Sequence, residues 1–161
     1  MKFIGDKNDL DLFENLIKQH LPTNLEEYDY IEPFGGSFGL SKLLNPRPKR
    51  LIYNDLIRYD VEFESDIKTY TDYRFILNTY DDPKSVIYID PPYYGKEFLY
   101  GMKKHNKKFH EDLREQVKNR KSKILISYED CSFIRKLYSG CSVYYYSGTN
   151  PYKKKEMLIV I

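Results

Sequence analysis

Ser85-Val86-Ile87-Tyr88-Ile89-Asp90-Pro91-Pro92-Tyr93 is the stretch on which the reading of this chain turns. Val86 to Ile89 form an unbroken apolar run rich in β-branched side chains, the pattern of a strand covered on both faces within a parallel sheet. The two prolines then stop it, because they lack the N–H groups a ladder needs and they stiffen the turn that follows. An acidic side chain is thereby fixed at the carboxyl end of a buried strand.

Working outward, Tyr28 to Glu32 reads as a short strand that runs into Pro33-Phe34-Gly35-Gly36-Ser37-Phe38-Gly39, a glycine-rich turn opening a helix near Phe38 to Leu44. Arg50 to Asn54 is a second strand, closing on Asp55, and a third is expected near Arg74 to Asn78. Upstream, Leu10, Phe13, Leu16, Ile17 and Leu21 recur at helical spacing after Asp9. Downstream, Phe109 to Arg120 and Cys131 to Tyr138 read as helices flanking a buried strand at Lys123 to Ser127. Val143 to Tyr146 and Met157 to Ile161 close the chain as an antiparallel hairpin. Strands alternating with helices, then a hairpin, predict a three-layer α/β sandwich with a mostly parallel sheet, spanning residues 1–161 as a single domain.

Ligands of such sheets gather at the carboxyl ends of the strands. Glu32-Pro33-Phe34-Gly35-Gly36, Asn54-Asp55 and Asp90-Pro91-Pro92-Tyr93 all fall at such ends, so they are expected to share one edge. The glycines let backbone approach a ligand closely, but the turn lacks the Gly-Lys-Ser or Gly-Lys-Thr ending of a phosphate loop, and Glu32 repels phosphate while tolerating a cation. Asp55, about 20 residues later, stands where a carboxylate can accept both hydroxyl hydrogens of a ribose. Together they describe a nucleoside cofactor without a phosphate. Asp90 to Tyr93 adds an acceptor pair for a planar NH2 group: the Asp90 carboxylate and the Pro91 carbonyl can hold its hydrogens and draw the nitrogen toward tetrahedral geometry, with Pro92 stiffening the turn and Tyr93 stacking on the ring.

Charge is unevenly spread. Residues 1–100 hold 12 Lys and Arg against 18 Asp and Glu, whereas residues 101–161 hold 14 against 6, so the net +2 conceals a basic C-terminal third suited to a polyanion. Tyr94, Tyr100, Lys103, Lys104, Lys107 and Lys108, with Tyr152, Lys153, Lys154 and Lys155 in the last loop, interleave lysines with tyrosines and are the expected nucleic-acid contacts. Cys131 and Cys141 are separated by nine residues with no partners at metal-ligand spacing, so no metal is expected. No apolar run reaches the roughly 20 residues that span a bilayer, and Met1 to Leu10 carries acidic residues where a signal peptide is apolar. A cytoplasmic protein without a membrane partner is the expectation.

At this point the chain resembles the Dam-type, class D12, N6-adenine DNA methyltransferases, over most of its length and in order. Gly5-Asp6-Lys7 is similar to the N-terminal Gly-Gly-Lys element, with Asp6 where the family has a second glycine, Glu32 to Gly36 to the glycine-rich motif, Asn54-Asp55-Leu56 to the acidic motif, and Thr79-Tyr80 to the segment beside the cofactor adenine. Asp90 to Tyr93 is similar to the catalytic motif, Ser127-Tyr128 to the strand-end serine motif, and Glu156-Met157-Leu158 to the last hairpin strand. The resemblance implies a Rossmann-like methyltransferase fold and S-adenosylmethionine as cofactor, with Lys7, Glu32, Pro33, Phe34, Gly35 and Gly36 around its methionine moiety, Asp55 and Leu56 at the ribose, Tyr80 near the adenine and Asp90 beside it. Asp90, Pro91, Pro92 and Tyr93 would receive an adenine flipped out of DNA.

The sequence departs from the family in one large respect. Only 34 residues, 56 to 89, separate Asp55 from Asp90, where family members insert a helical target-recognition domain. Base readout is therefore expected to be relaxed, or to come from a protein partner. The alternatives are methylation of an amine in RNA, of cytosine N4 or of a protein glutamine, and a non-catalytic nucleic-acid-binding subunit of a larger methyltransferase.

Overall fold

In the computed structural model, which describes residues 15–59, 62–146 and 155–161, the strand at the centre of the sequence reading is also at the centre of the sheet. Strands β1 (Asp29–Glu32), β2 (Arg50–Asn54), β3 (Ile67–Thr69), β4 (Ser85–Ile89), β5 (Lys123–Glu129), β6 (Ser142–Tyr146) and β7 (Glu156–Val160) form one sheet in the order β3-β2-β1-β4-β5-β7-β6. β1 to β5 are mutually parallel, and β7 lies antiparallel between β5 and β6. Every residue of β4 is buried, as its unbroken apolar run requires.

Side chains alternate between two cores. Ile31, Ile52, Ile87, Ile89, Ile124, Ile126 and Ile159 face α1 (Tyr73–Thr79), α2 (Lys107–Val117) and α3 (Ser132–Leu137), whose Ile76, Leu77, Leu113, Val117 and Ile134 complete that side. Tyr30, Leu51, Tyr53, Val86, Tyr88, Leu125 and Leu158 face the other way, under Ile17 from the helical residues 15–18 and Leu25 and Leu40 from two short 3-10 turns. The architecture is the expected three-layer sandwich, one outer layer being much thinner.

Two local expectations are corrected. Arg74 to Asn78 is not a strand but lies in α1, because the Asp72 carboxylate caps the helix by accepting the Arg74 N–H at 2.9 Å and the buried Tyr73, Ile76 and Leu77 stand at helical spacing. The third strand is instead Ile67–Thr69 at the sheet edge. The helix expected near Phe38 to Leu44 shrinks to a 3-10 turn over Leu40–Leu43, since Phe38 takes a left-handed φ of 52° and buries its ring against Tyr53.

Chain order runs outward from β1 to β3 on one side and from β4 on the other. Glu32 and Asp90, at the ends of β1 and β4, thus flank the point where strand order reverses, the position at which doubly wound sheets bind ligands. Among the described residues no helix is long and apolar enough to cross a membrane.

Candidate active site

The glycine turn is shaped by close approach. A Cβ at Gly35 would sit 2.2 Å from the Tyr53 ring, and Gly36 holds a left-handed φ of 48°. The Gly35 N–H donates to the Asn54 carbonyl at 2.8 Å, and the Gly36 N–H donates to the Asp55 carboxylate at 3.0 Å. Beneath them the fully buried Asn54 uses its whole side chain: its amide donates to the Pro33 and Thr71 carbonyls at 2.9 Å each, and its oxygen accepts from Thr69 Oγ1 at 2.8 Å and the Thr71 N–H at 3.0 Å. The turn after β1 and the acidic residue after β2 are thereby one connected unit.

Three carboxylates meet on this edge. Glu32 is buried, 3% exposed, and accepts from the Tyr30 hydroxyl at 2.9 Å. Burial pushes its carboxyl well above the usual carboxylate range, against the Tyr30 hydrogen bond, and the charge of Asp90 pushes it further the same way. Burial also raises Asp55, opposed by the N–H groups of Ile57, Gly36 and Leu56. Glu32 and Asp55 are both raised chiefly by burial, and a cation beside them would favour their charged forms. A sulfonium ligand that also carries an ammonium group fits this edge, and a phosphate does not.

Asp90 is held from the neighbouring strand. Ser127 Oγ, two residues before the end of β5, donates to Asp90 Oδ1 at 2.7 Å and lies 3.0 Å from the Tyr88 hydroxyl. Pro91 and Pro92 are buried behind it and Tyr93 is half-buried, 6.1 Å from the Tyr128 ring. The reversal of β7 brings Glu156 to the same edge, where its Oε2 accepts from the Tyr146 hydroxyl and, at 3.4 Å, from the Tyr93 hydroxyl. Burial, then Asp90 and Glu156, raise Tyr93 well above the ordinary phenol range, so its hydroxyl stays neutral.

The segment after Tyr93 is organised by a second buried acid, Glu97. It is fully buried and accepts from the N–H groups of Gly95, His105 and Asn106 at 2.8, 3.1 and 3.1 Å, and from His110 Nε2 at 3.0 Å. Burial works to raise its carboxyl, but these hydrogen bonds outweigh it and leave it lowered. Burial lowers His110 in turn, so the ring is neutral, with Nε2–H facing Glu97 and Nδ1 accepting from the Tyr128 hydroxyl at 2.8 Å.

Of the residues singled out in the sequence, Glu32, Pro33, Phe34, Gly35, Gly36, Asp55, Leu56, Asp90, Pro91, Pro92 and Tyr93 all lie at the carboxyl edge of β1, β2 and β4. Tyr100 joins them: burial, then the charges of Asp90, Tyr59 and Asp55, push its hydroxyl up to about 12. Tyr80 does not. It follows α1 and lies at the opposite edge, lining a depression of about 290 Å³ with Asp29, Lys49, Arg50 and Ser85. Tyr94 is spent on packing, 4.5 Å from the Phe133 ring and 5.1 Å from His105. Lys103, Lys104, Lys107, Lys108 and Lys155 are exposed, Lys155 over the Tyr145 ring at 4.5 Å. Lys7, Tyr152, Lys153 and Lys154 lie outside the described residues.

Asn54 and Ser127 stand in motifs legible in the sequence, whereas Tyr88, Glu97, His110 and Tyr146 carry no such signal. β5 pairs with β4 up to Ile89 and Ile126, one residue short of Asp90 and Ser127. Among the described residues no group of three His, Cys, Asp or Glu side chains is placed to hold a metal.

A central reversal of strand order, a glycine bend and an acidic carboxyl edge are together the arrangement of the S-adenosylmethionine-dependent methyltransferase fold. Solved structures share it at low identity. The SAM-dependent methyltransferase of Agrobacterium tumefaciens is 9% identical over 99% of this chain and 64% of that one, with a TM-score of 0.59. SMU.1697c of Streptococcus mutans, solved in complex with SAH, is 10% identical over 96% and 97%, at 0.55. An rRNA methylase of Streptococcus thermophilus is 8% identical over 98% of each chain, at 0.54. The family is narrower than the fold: the model for the D12 class N6 adenine-specific DNA methyltransferases matches residues 56–155, and the chain belongs to that family. The cofactor of this family and fold is S-adenosylmethionine. No curated protein matches the chain.

Proposed function

We propose that the protein methylates the N6 amine of adenine in DNA, with the base flipped into the site and held by Asp90, Pro91, Pro92 and Tyr93. The observation that carries this reading is the position of Asp90, pinned by Ser127 Oγ at 2.7 Å on the edge it shares with Glu32, Gly36 and Asp55. The cofactor would be held by Glu32 to Gly36, Asp55 and Leu56, and it supplies a methyl group on a positively charged sulfur. Glu32 and Asp55 lower the free energy of that positive charge when it binds. Asp90 and the Pro91 carbonyl accept the two amine hydrogens, so that the nitrogen lone pair leaves conjugation and points at the methyl carbon. Transfer would exchange one S–C bond for one C–N bond, with Asp90 or water placed to take the surplus proton.

Lys103, Lys104, Lys107 and Lys108 supply phosphate contacts that position the strand without reading much sequence. Readout of the target would then rest on few base contacts or on a protein partner. The test is incubation with methyl-labelled cofactor and DNA, RNA or protein, followed by mass spectrometry of the digested products. Label in N6-methyladenine of DNA, abolished in Asp90→Ala with cofactor affinity kept within a few-fold, is the expected result. Label confined to RNA, cytosine or glutamine overturns the substrate, and cofactor binding with no transfer to any of them overturns the activity.

A further inference from the structure

The chain leaves large apolar side chains exposed in the turn that follows Asp90 to Tyr93. Phe98 is 52% and Leu99 40% exposed, although both sit in a short 3-10 turn, Glu97–Tyr100, that has little freedom to move. The Leu99 N–H donates to the Lys96 carbonyl, and the N–H groups of Gly101 and Met102 donate back to Phe98 and Glu97. Below the turn Glu97 is locked by its four partners, and Lys96 pairs with Glu129 at the end of β5. At its far end Tyr100 is half-buried, close enough to Asp90 and Asp55 for their charges to act on its hydroxyl. Two adjacent apolar side chains held out into solvent on a braced turn are available to a partner surface.

Charge indicates what covers this pair. Lys104 Nζ lies 5.8 Å from the Phe98 ring, and Lys103 beside it is exposed, so the tip carries cations at its base and hydrocarbon at its end. Side chains of this make-up can enter a base stack while the cations meet the flanking phosphates. A base leaves its stack more readily when something fills the gap it vacates.

We propose that Phe98 and Leu99, presented by the buried Glu97 staple, are a wedge that enters the DNA duplex beside the target adenine and holds the gap open. This role rests on the DNA reading above, and it belongs to a segment that follows the catalytic turn instead of to an inserted domain.

The test compares wild type with the Phe98→Ala/Leu99→Ala double variant. Three substrates of one sequence are used: duplex, single strand, and duplex with an abasic site opposite the target. Because both side chains are exposed, melting temperature serves as the folding control. A wedge predicts that the variant loses about 10- to 100-fold more activity on the duplex than on the single strand, with partial recovery over the abasic site. Equal loss on duplex and single strand, or no loss, overturns it. Fluorescence of 2-aminopurine at the target position, read without cofactor, separates this proposal from the activity itself. A rise with wild type and none with the variant keeps the wedge even if no methyl is transferred to DNA. Methyl transfer to DNA with the same fluorescence for both proteins removes the wedge and leaves the activity standing.

Discussion

Ser127 Oγ donates a hydrogen bond to Asp90 Oδ1 at 2.7 Å across the seam between two parallel strands. The bond fixes one oxygen of the acid before any substrate arrives, with the Tyr88 hydroxyl 3.0 Å from the same serine. A hydrogen bond to an ionised acceptor contributes about 1.5–3 kcal/mol. Ser127→Ala is therefore expected to lower kcat by about 10- to 100-fold while leaving the cofactor Kd within a few-fold. Steady-state kinetics beside calorimetric titration checks it, and a change confined to Kd would refute the assignment.

Gly35 abuts the Tyr53 ring so closely that a methyl group has no room, with 2.2 Å to the nearest ring carbon. Gly35→Ala is expected to cost about 1–3 kcal/mol, as overpacked cores do, and to displace the turn that follows β1. Pairing it with Tyr53→Leu relieves the clash, so the double variant should regain part of the melting temperature lost in the single one. Strict additivity in thermal melts would show that the ring is not the obstacle.

Glu32 sets a pH dependence whose sign follows from its raised carboxyl. The folded state prefers it protonated and the unfolded state does not, so its contribution is fully present below the ordinary glutamate pKa and is lost as pH rises toward the folded value. Glu32→Gln cannot ionise. Its melting temperature relative to wild type should climb between about pH 4.5 and neutrality, with roughly 2–4 °C for each 1 kcal/mol at this chain length. Because a cationic ligand favours the charged form, wild type should also release protons on binding S-adenosylmethionine, seen as a calorimetric heat that varies with the ionisation enthalpy of the buffer. A gap between the two proteins that stays constant with pH would contradict this.

Tyr80 provides a control on location. Its hydroxyl lies at the opposite edge of the sheet from Asp55 and Asp90, beside Arg50 and Asp29. Tyr80→Phe is expected to leave cofactor affinity unchanged within about two-fold, less than the roughly 0.5–1.5 kcal/mol of one net hydrogen bond. A ten-fold weakening measured by calorimetry would return this residue to the adenine pocket.

The motifs at strand ends were legible in the sequence because each couples an apolar run to a stop that leaves little choice. Val86 to Ile89 followed by two prolines allows one reading, and Arg50 to Asn54 matches β2 residue for residue. Arg74 to Asn78 was misread because five residues do not separate a period of 2 from one of 3.6, and its deciding cap, Asp72, lies just outside that window. β3 is three residues long, none of them buried, so it carries no hydrophobic signal. Ser127 and Glu156 stand in motifs the sequence shows, but their meeting with Asp90 and Tyr93 follows from strand register and the reversal of β7, which pattern along the chain does not encode. Tyr80 was placed by resemblance alone, and its position after α1 puts it on the wrong edge.

Asn54 satisfies all four of its side-chain hydrogen-bonding positions on two segments, the turn after β1 and the stretch 69–71, while its own carbonyl receives Gly35. A shift in either segment breaks several bonds together, so the glycine bend and Asp55 are held at a fixed spacing. If this edge holds the nucleoside as proposed, the incoming ligand loses its own freedom without having to order the protein around it.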